Sequence, residues 1–131
     1  MPCKPLEIVR AAVLIGIFFL PGLAAAHHSF AAFDVTRLVT LDGTVKQFDW
    51  VNPHVVIWVY AAPPAGGAPE LWAVELTSPG NLTRMGWSRL ALKPGDKVSV
   101  DIHPLRDGQH GGQFKQVIVS GTGKVYSTKA G

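Results

Sequence analysis

The chain has one cysteine among its 131 residues, Cys3. It stands before the apolar segment that begins at Ala11, whereas a lipid-attachment cysteine would follow such a segment. The rest of the chain therefore contains no thiol and can form no internal disulfide. An oxidising compartment is permitted but not exploited, and stability must come from packing rather than from cross-links.

Long apolar runs are also missing. The most apolar segment extends from Ala11 to Leu20 and is broken by Pro21-Gly22. A membrane-spanning helix needs roughly 20 apolar residues, and this run is well short of that length. We therefore do not expect a retained membrane anchor.

The same segment has the features of a secretory signal peptide. Lys4 and Arg10 flank its start, and small residues precede Ala26. We expect residues 1–26 to form a signal-peptide helix that is removed by cleavage near Ala26-His27. No stable membrane anchor would remain, and the protein would be periplasmic or secreted.

No segment of the chain has a concentration of charged residues of one sign. The chain has 12 Lys and Arg against 9 Asp and Glu, a net charge of +3. Loss of residues 1–26 removes Lys4, Glu7 and Arg10, so the remaining chain is close to balanced. Its basic residues form no stripe that could follow a phosphate backbone, and we expect no nucleic-acid partner.

Signatures of catalysis are absent from the sequence. Ser29 and Ser78 have no Gly-x-Ser-x-Gly setting, and no glycine-rich phosphate loop opens a helix. No paired acids stand at a suggestive spacing either. We expect a protein that is not an enzyme, and the one catalytic alternative would be copper redox chemistry at His27.

Short apolar runs separated by turn residues make up the rest of the chain, which predicts strands. From Leu38 the pattern alternates, and its parity shifts after Lys46-Gln47, which indicates a bulged and curved first strand. Later strands are predicted at Val55–Tyr60, Leu71–Leu76, Val98–Ile102 and Phe114–Ser120.

One short helix is predicted between the third and fourth strands. Ser78 can cap its amides, and proline is well suited to the first helical position at Pro79. Leu82 and Met85 would then face the core, and Gly86 would end the helix.

Three strands, a helix and two strands is the element order of the OB-fold, a five-stranded Greek-key barrel. We therefore predict an all-β fold with one short helix: an N-terminal arm at 27–37, an OB-like barrel at 38–121 and a frayed C-terminal tail at 122–131. An immunoglobulin-like sandwich is the alternative, weakened by the helix and by missing strands. A lipocalin-like barrel needs about eight strands, more than the chain can supply.

Six segments of the chain form recognisable motifs: His27-His28-Ser29-Phe30, Leu41 to Val45, Trp50-Val51-Asn52-Pro53-His54, Trp72 to Leu76, Ser78 to Trp87 and Leu92 to Asp96. Together they resemble a family of small exported bacterial proteins known only as a domain of unknown function, family six-one-five-two. The resemblance covers nearly all of the chain after residue 26 and implies an OB-like exported domain with no established activity. His27, His28, Asn52, His54 and Glu75 carry over as motif positions only, whereas His103 and His110 match no motif of the family.

A metal site can be derived from the cleavage position. A new N-terminus at His27 would offer an amine and an imidazole to one ion, since the amine has a pKa of about 7.7–8.0 and can lose its proton on binding. His28 offers a competing mode, and His54 could supply a third nitrogen. Such ligands favour Cu(II), although zinc also suits imidazole. The alternatives are that the histidines form a polar, unstructured start and that His54 is a turn residue.

A ligand surface is the other possibility, because OB barrels often bind through strands 2 and 3 and the 1–2 and 4–5 loops. Asn52, Trp58 and Glu75 are the candidate ligand-binding residues on this view. Each also has a structural interpretation: a turn cap, a core aromatic and an ion pair with Lys or Arg. Glu75 could instead orient a histidine ligand.

Two functions therefore remain open. The first is an exported, non-enzymatic binding module, a monomer without a certain cofactor, whose partner is an unknown periplasmic protein or small ligand. The second is a copper-binding or copper-delivery protein that uses the amine and imidazole of His27 with further histidines. On both views we expect His103 and His110 to face solvent.

Overall fold

A computed structural model describes residues 30–128. The signal-peptide segment, His27 and His28 lie outside the described residues, and so do residues 129–131. Within the described range no helix has the length and apolar character needed to cross a bilayer. The elements in chain order are a 3₁₀ turn (Phe30–Ala32), β1 (Val39–Asp49), β2 (Val56–Ala61), β3 (Glu70–Glu75), α1 (Pro79–Arg84), β4 (Lys97–Pro104), β5 (Gly111–Val119) and β6 (Lys124–Ser127).

Five of these strands close into a barrel. β1 pairs antiparallel with both β2 and β4, β3 pairs with β2, and β5 pairs with β4. Closure comes from a short parallel pairing of β3 with β5, in which Ala73 lies opposite Gly111 and Glu75 opposite Gln113. This is the Greek-key order of the OB-fold, and the predicted fold class is confirmed.

The first strand is bulged where its apolar parity shifts. The β1–β2 register slips between Val45 and Gln47, so that Val45 and Phe48 both turn toward the core. An extra residue at a bulge moves the side chains that follow it to the opposite face of the sheet. The bend predicted from the sequence is thereby confirmed.

The core fills the barrel and the space beneath α1. Among the described residues, no polar or charged side chain is buried. Apolar positions alternate inward along β2, β3 and β4, as period-two strands with one buried face require. The fully buried side chains include Leu41, Ile57, Leu82, Ile102, Val45, Val55, Val59, Val74, Val100 and Val117.

The helix begins where the sequence predicts, but it ends at Arg84, before Met85. Ser78 Oγ accepts a hydrogen bond from the amide of Asn81 (3.3 Å), and Pro79 is the first helical residue. Leu82 is buried as expected, whereas Met85 is 41% exposed and does not face the core. Because the helix ends at Arg84 and Met85 is its C-cap, the helical spacing from Leu82 no longer places Met85 inward.

Trp87 is the buried residue that follows this helix. Its ring lies 4.7 Å from that of Tyr126 and 5.4 Å from that of Phe114, measured between centroids. Its indole N–H donates to the carbonyl oxygen of Ser127 (3.2 Å). Trp87 therefore links the barrel to the C-terminal segment.

The prediction of a frayed tail after Gly121 is wrong for residues 124–127. These form β6, which pairs antiparallel with β5 and adds a sixth strand beside the barrel. Four residues are too few to show a clear period in sequence. Their order comes from pairing with β5 and from the contact of Tyr126 with Trp87.

The N-terminal arm is tied to the end of β4. The amide of Asp34 donates to Pro104 O (2.8 Å), and the amide of Arg106 donates to Ala32 O (2.9 Å). Between these bonds Phe33 forms a bridge with Leu105. The arm thereby lies against the end of β4, next to the β4–β5 loop.

Candidate functional site

His54 and Glu75 form the shortest ion pair within residues 30–128. His54 precedes β2, and Glu75 ends β3 on its outward face, opposite Val56 in the β2–β3 register. His54 Nδ1 lies 2.6 Å from Glu75 Oε1. The interpretation of Glu75 as a partner of Lys or Arg is thus wrong, whereas its pairing with a histidine is observed.

This contact decides which ring nitrogen of His54 is available. An ionised carboxylate only accepts hydrogen bonds, so Nδ1 carries the proton that it donates to Glu75. The lone pair on Nε2 is then left for another group. The His54 side chain is 39% exposed and that of Glu75 23%, so the ring is supported from the barrel side and still accessible.

A cavity of about 190 Å³ lies beside this pair. It is part polar and part apolar, and it sits where the start of β2, the end of β3, the start of β5 and the C-terminal segment meet. The residues that define it are Phe33, His54, Glu75, Gln113, Phe114 and Thr128.

A second cavity, of about 220 Å³, lies against the outer face of β2 and β3 and under the β4–β5 loop. It shares Phe33 and Glu75 with the first cavity. We call the two cavities together the groove. The residues that line its second part include Phe33, Val56, Trp58, Ala73, Glu75, Leu105 and His110.

Trp58 forms part of the groove because its neighbours are small. It is half-buried on the outward face of β2, opposite Ala73, which in turn lies opposite Gly111. A Cβ atom on Gly111 would lie 2.9 Å from Leu105 Cδ1 and 3.0 Å from Ala73 O, so a side chain there would fill this depression.

The Trp58 ring is also held in place. Its indole N–H donates to Asp49 Oδ2 (2.8 Å), and the side-chain Nε2 of Gln47 donates to Asp49 Oδ1. Trp72 and Trp87 are buried, as core aromatics should be, whereas Trp58 and Trp50 are half-buried. Of the four tryptophans, Trp58 is the one that lines the groove.

The remaining candidate of the ligand set, Asn52, lies outside the groove. It is exposed in the β1–β2 loop, before a cis Asn52-Pro53 bond, and lines neither cavity. Within residues 30–128 its side chain makes no hydrogen bond. The structure therefore brings together Trp58, Glu75 and His54 but not Asn52.

The two histidines outside the family motifs differ in their surroundings. His110 is exposed as expected, and its ring stacks on Trp72 with 4.8 Å between centroids and with Nδ1 3.6 Å from Glu70 Oε2. His103 is half-buried rather than solvent-facing, because its Nδ1 lies 2.6 Å from Arg37 O. The pairing of β4 with the start of β1 places it beside the arm.

Phe33 is the groove residue that the sequence reasoning did not single out. It lines both cavities and is only 5% exposed, yet it lies outside the barrel's core cluster. The sequence shows only an aromatic residue in an irregular arm, and this pattern does not specify which surface the ring contacts.

No three His, Cys, Asp or Glu side chains within residues 30–128 come together in a way that could hold a metal ion. His54 is thus a single nitrogen donor with a carboxylate behind it. A metal site built on His54 would need further ligands from residues that the structure does not describe.

The fold and groove define the chain as a small OB barrel with a candidate ligand site on its outer β2–β3 face. It belongs to a family of unknown function (DUF6152), whose model matches residues 17–116, which confirms the resemblance seen in the motifs. The matched region contains the strands that form the barrel up to the middle of β5. No curated protein and no solved structure matches the chain.

Proposed function

We propose that this chain is an exported, non-enzymatic binding module that holds a small ligand in the groove. The observation that carries the proposal is the position of the two cavities on the outer face of β2, β3 and β5, next to the β4–β5 loop. This is the face through which OB barrels commonly bind ligands. Export is supported by the signal-peptide pattern of residues 1–26.

The size and lining of the groove favour a small ligand. Each of its two parts, of about 190 and 220 Å³, is smaller than the roughly 300 Å³ at which sites for drug-sized molecules begin, so a ligand held in one part would be small. Phe33 and Trp58 offer apolar surface, and His54, Glu75 and Gln113 offer polar contacts. This mixture of apolar walls and a few polar groups is typical of small-molecule sites.

An NMR screen tests the proposal. Protein that begins at His27 would be mixed with a panel of small organic acids, amines and sugars, and with the same panel after Trp58→Leu. We expect at least one compound to shift the signals of residues around Trp58 and Glu75, and Trp58→Leu to remove the response. Tyr60→Leu is the matched control, since Tyr60 is exposed on the same strand but lines neither cavity. Shifts confined to another face would contradict the proposal.

Copper binding is the second candidate, favoured by the arrangement of His54 and Glu75. Histidine ligands of metals commonly donate their other ring N–H to a carboxylate, as His54 Nδ1 does here. Phe33 lines the same cavity, and His27 precedes it by six residues, a span of at most about 20 Å. The amine and imidazole of His27, or the ring of His28, could therefore reach the free Nε2 of His54.

A Cu(II) titration tests this candidate. Protein beginning at His27 would be compared, by calorimetry and electron paramagnetic resonance, with protein carrying one additional N-terminal alanine. We expect tight one-to-one binding with a nitrogen-rich spectrum that the alanine weakens or alters. His54→Ala should then remove one nitrogen, whereas His103→Ala, whose ring is held by Arg37 O, should not. Binding that neither change affects would exclude this site.

A further inference from the structure

We propose that the Trp58 end of the groove binds a small organic cation, an ammonium group with apolar substituents, between the Trp58 ring and the Glu75 carboxylate. The inference rests on the proposed function and names the chemical class of its ligand. It concerns the second cavity, whereas the copper candidate concerns the first.

The first argument is charge. Within residues 30–128, Glu75 is the one Asp, Glu, Lys or Arg side chain that lines either cavity, although the chain as a whole has a net charge of +3. Oε1 of Glu75 contacts His54, whereas Oε2 has no hydrogen bond or ion pair within residues 30–128. An anion would meet this carboxylate without a compensating Lys or Arg, and a cation would be attracted to it.

The second argument is the aromatic surface. A cation close to the face of a tryptophan is attracted by the ring quadrupole, and tryptophan is the best of the aromatic side chains for this contact. Trp58 lines the cavity and is kept in position by its hydrogen bond to Asp49 Oδ2. The carboxylate of Asp49 adds a second negative charge at the edge of the ring, next to the indole N–H.

The third argument is the mainly apolar character of the wall. Phe33, Val56, Leu105 and Ala73 line this cavity together with the tryptophan. A bare metal ion would find too few donors there, since no three His, Cys, Asp or Glu side chains in residues 30–128 converge. A cation whose charged nitrogen is surrounded by methyl or methylene groups could interact with the carboxylate and also pack against the apolar wall.

Choline and dimethylbutanol provide a matched pair of probes, because a neutral carbon replaces the nitrogen in the second compound. Both would be titrated into protein that begins at His27, in the presence of a metal chelator, with NMR shifts as the readout. We expect choline to bind in the millimolar range and at least about tenfold more tightly than dimethylbutanol. The shifts should include the Trp58 indole and the residues of the second cavity.

Two variants connect this preference to the proposed residues. Trp58→Leu and Glu75→Gln should each weaken choline binding about fivefold or more, with little change for dimethylbutanol after Glu75→Gln. Tyr60→Leu and Asp42→Asn are the controls, since both residues are exposed and line neither cavity. Asp42→Asn also reproduces the change in net charge.

The result that overturns the inference is equal binding of the two probes, or no choline-induced shift in the groove. If choline fails while a neutral or acidic compound from the panel binds there, the chain is still a binding module but not one for cations. If no compound of the panel binds in the groove, the proposed function fails as well.

Discussion

His54 Nδ1 lies 2.6 Å from Glu75 Oε1. This contact joins a residue just before β2 to the last residue of β3. The β2–β3 register that places Glu75 opposite Val56 brings the two side chains together. The carboxylate selects the tautomer of the imidazole and leaves Nε2 free. Glu75 therefore sets which ring nitrogen of His54 can bind a further group.

Glu75→Gln is the first prediction. If His54 is a copper ligand, loss of the carboxylate should weaken Cu(II) binding about tenfold to a hundredfold, since such partners orient the ring and raise its basicity. Calorimetric titration measures the change, and Asp42→Asn is the charge-matched control. An unchanged Cu(II) affinity after Glu75→Gln would show that Glu75 does not support a metal site.

The second prediction concerns the anchor of the arm. Phe33→Ala should destabilise the arm by about 3 kcal/mol, because a buried aromatic side chain is removed from the groove. The hydrogen bonds Asp34 N to Pro104 O and Arg106 N to Ala32 O should then open more often. Hydrogen exchange of the Asp34 and Arg106 amides measures this, with the exposed Val35→Ala as control. Unaltered exchange in Phe33→Ala would show that the arm is held without the ring.

The third prediction is a pH dependence at the base of the arm. The hydroxyl of Thr36 donates to Asp34 Oδ1 (2.6 Å) and is the main reason that the pKa of the Asp34 carboxyl is lowered. Desolvation opposes this shift, whereas the Thr36 amide and the charges of Arg106 and Arg37 add to it. The pKa in the folded chain is thus below that of the unfolded chain, about 3.9.

The sign of the effect follows from linkage. The stabilising contribution of Asp34 is complete above the unfolded pKa and is lost as the pH falls through the lower folded pKa. An NMR titration of the carboxyl should show a depressed pKa that Thr36→Val moves back up. The protection of the arm amides, which is their exchange rate compared with the intrinsic rate at the same pH, should fall across the same acidic range. An Asp34 pKa that Thr36→Val does not change would contradict this account.

The fourth prediction uses two glycines with opposite surroundings. A Cβ atom on Gly43 would lie 2.1 Å from Tyr60 O, within the β1–β2 pairing, whereas a Cβ atom on Gly80 would meet nothing within 4 Å. Gly43→Ala should lower the free energy of unfolding by about 3 kcal/mol, because the backbone must shift. Gly80→Ala should stay within about 1 kcal/mol of the original chain. Urea unfolding of both variants checks the contrast, and a tolerated Gly43→Ala would refute the close strand approach.

Local features of this chain could be predicted because each depends on neighbouring residues. The strand period, the bulge near Lys46 and the cap at Ser78 are encoded within a few positions. Met85 was placed wrongly because the same periodicity was continued past the end of the helix. β6 was missed because its four residues gain order only from pairing with β5.

The candidate site also has features that the sequence predicts and features that only the fold explains. The sequence by itself determined the OB order of strands, the absence of a disulfide after Cys3 and the residue types of the site, since these follow from local pattern and composition. Only the tertiary structure decided that Glu75 contacts His54 and that Trp58 and Phe33 line the same groove. These contacts join residues far apart in the chain, and strand register and barrel closure bring them together, which no local pattern of hydrophobicity specifies.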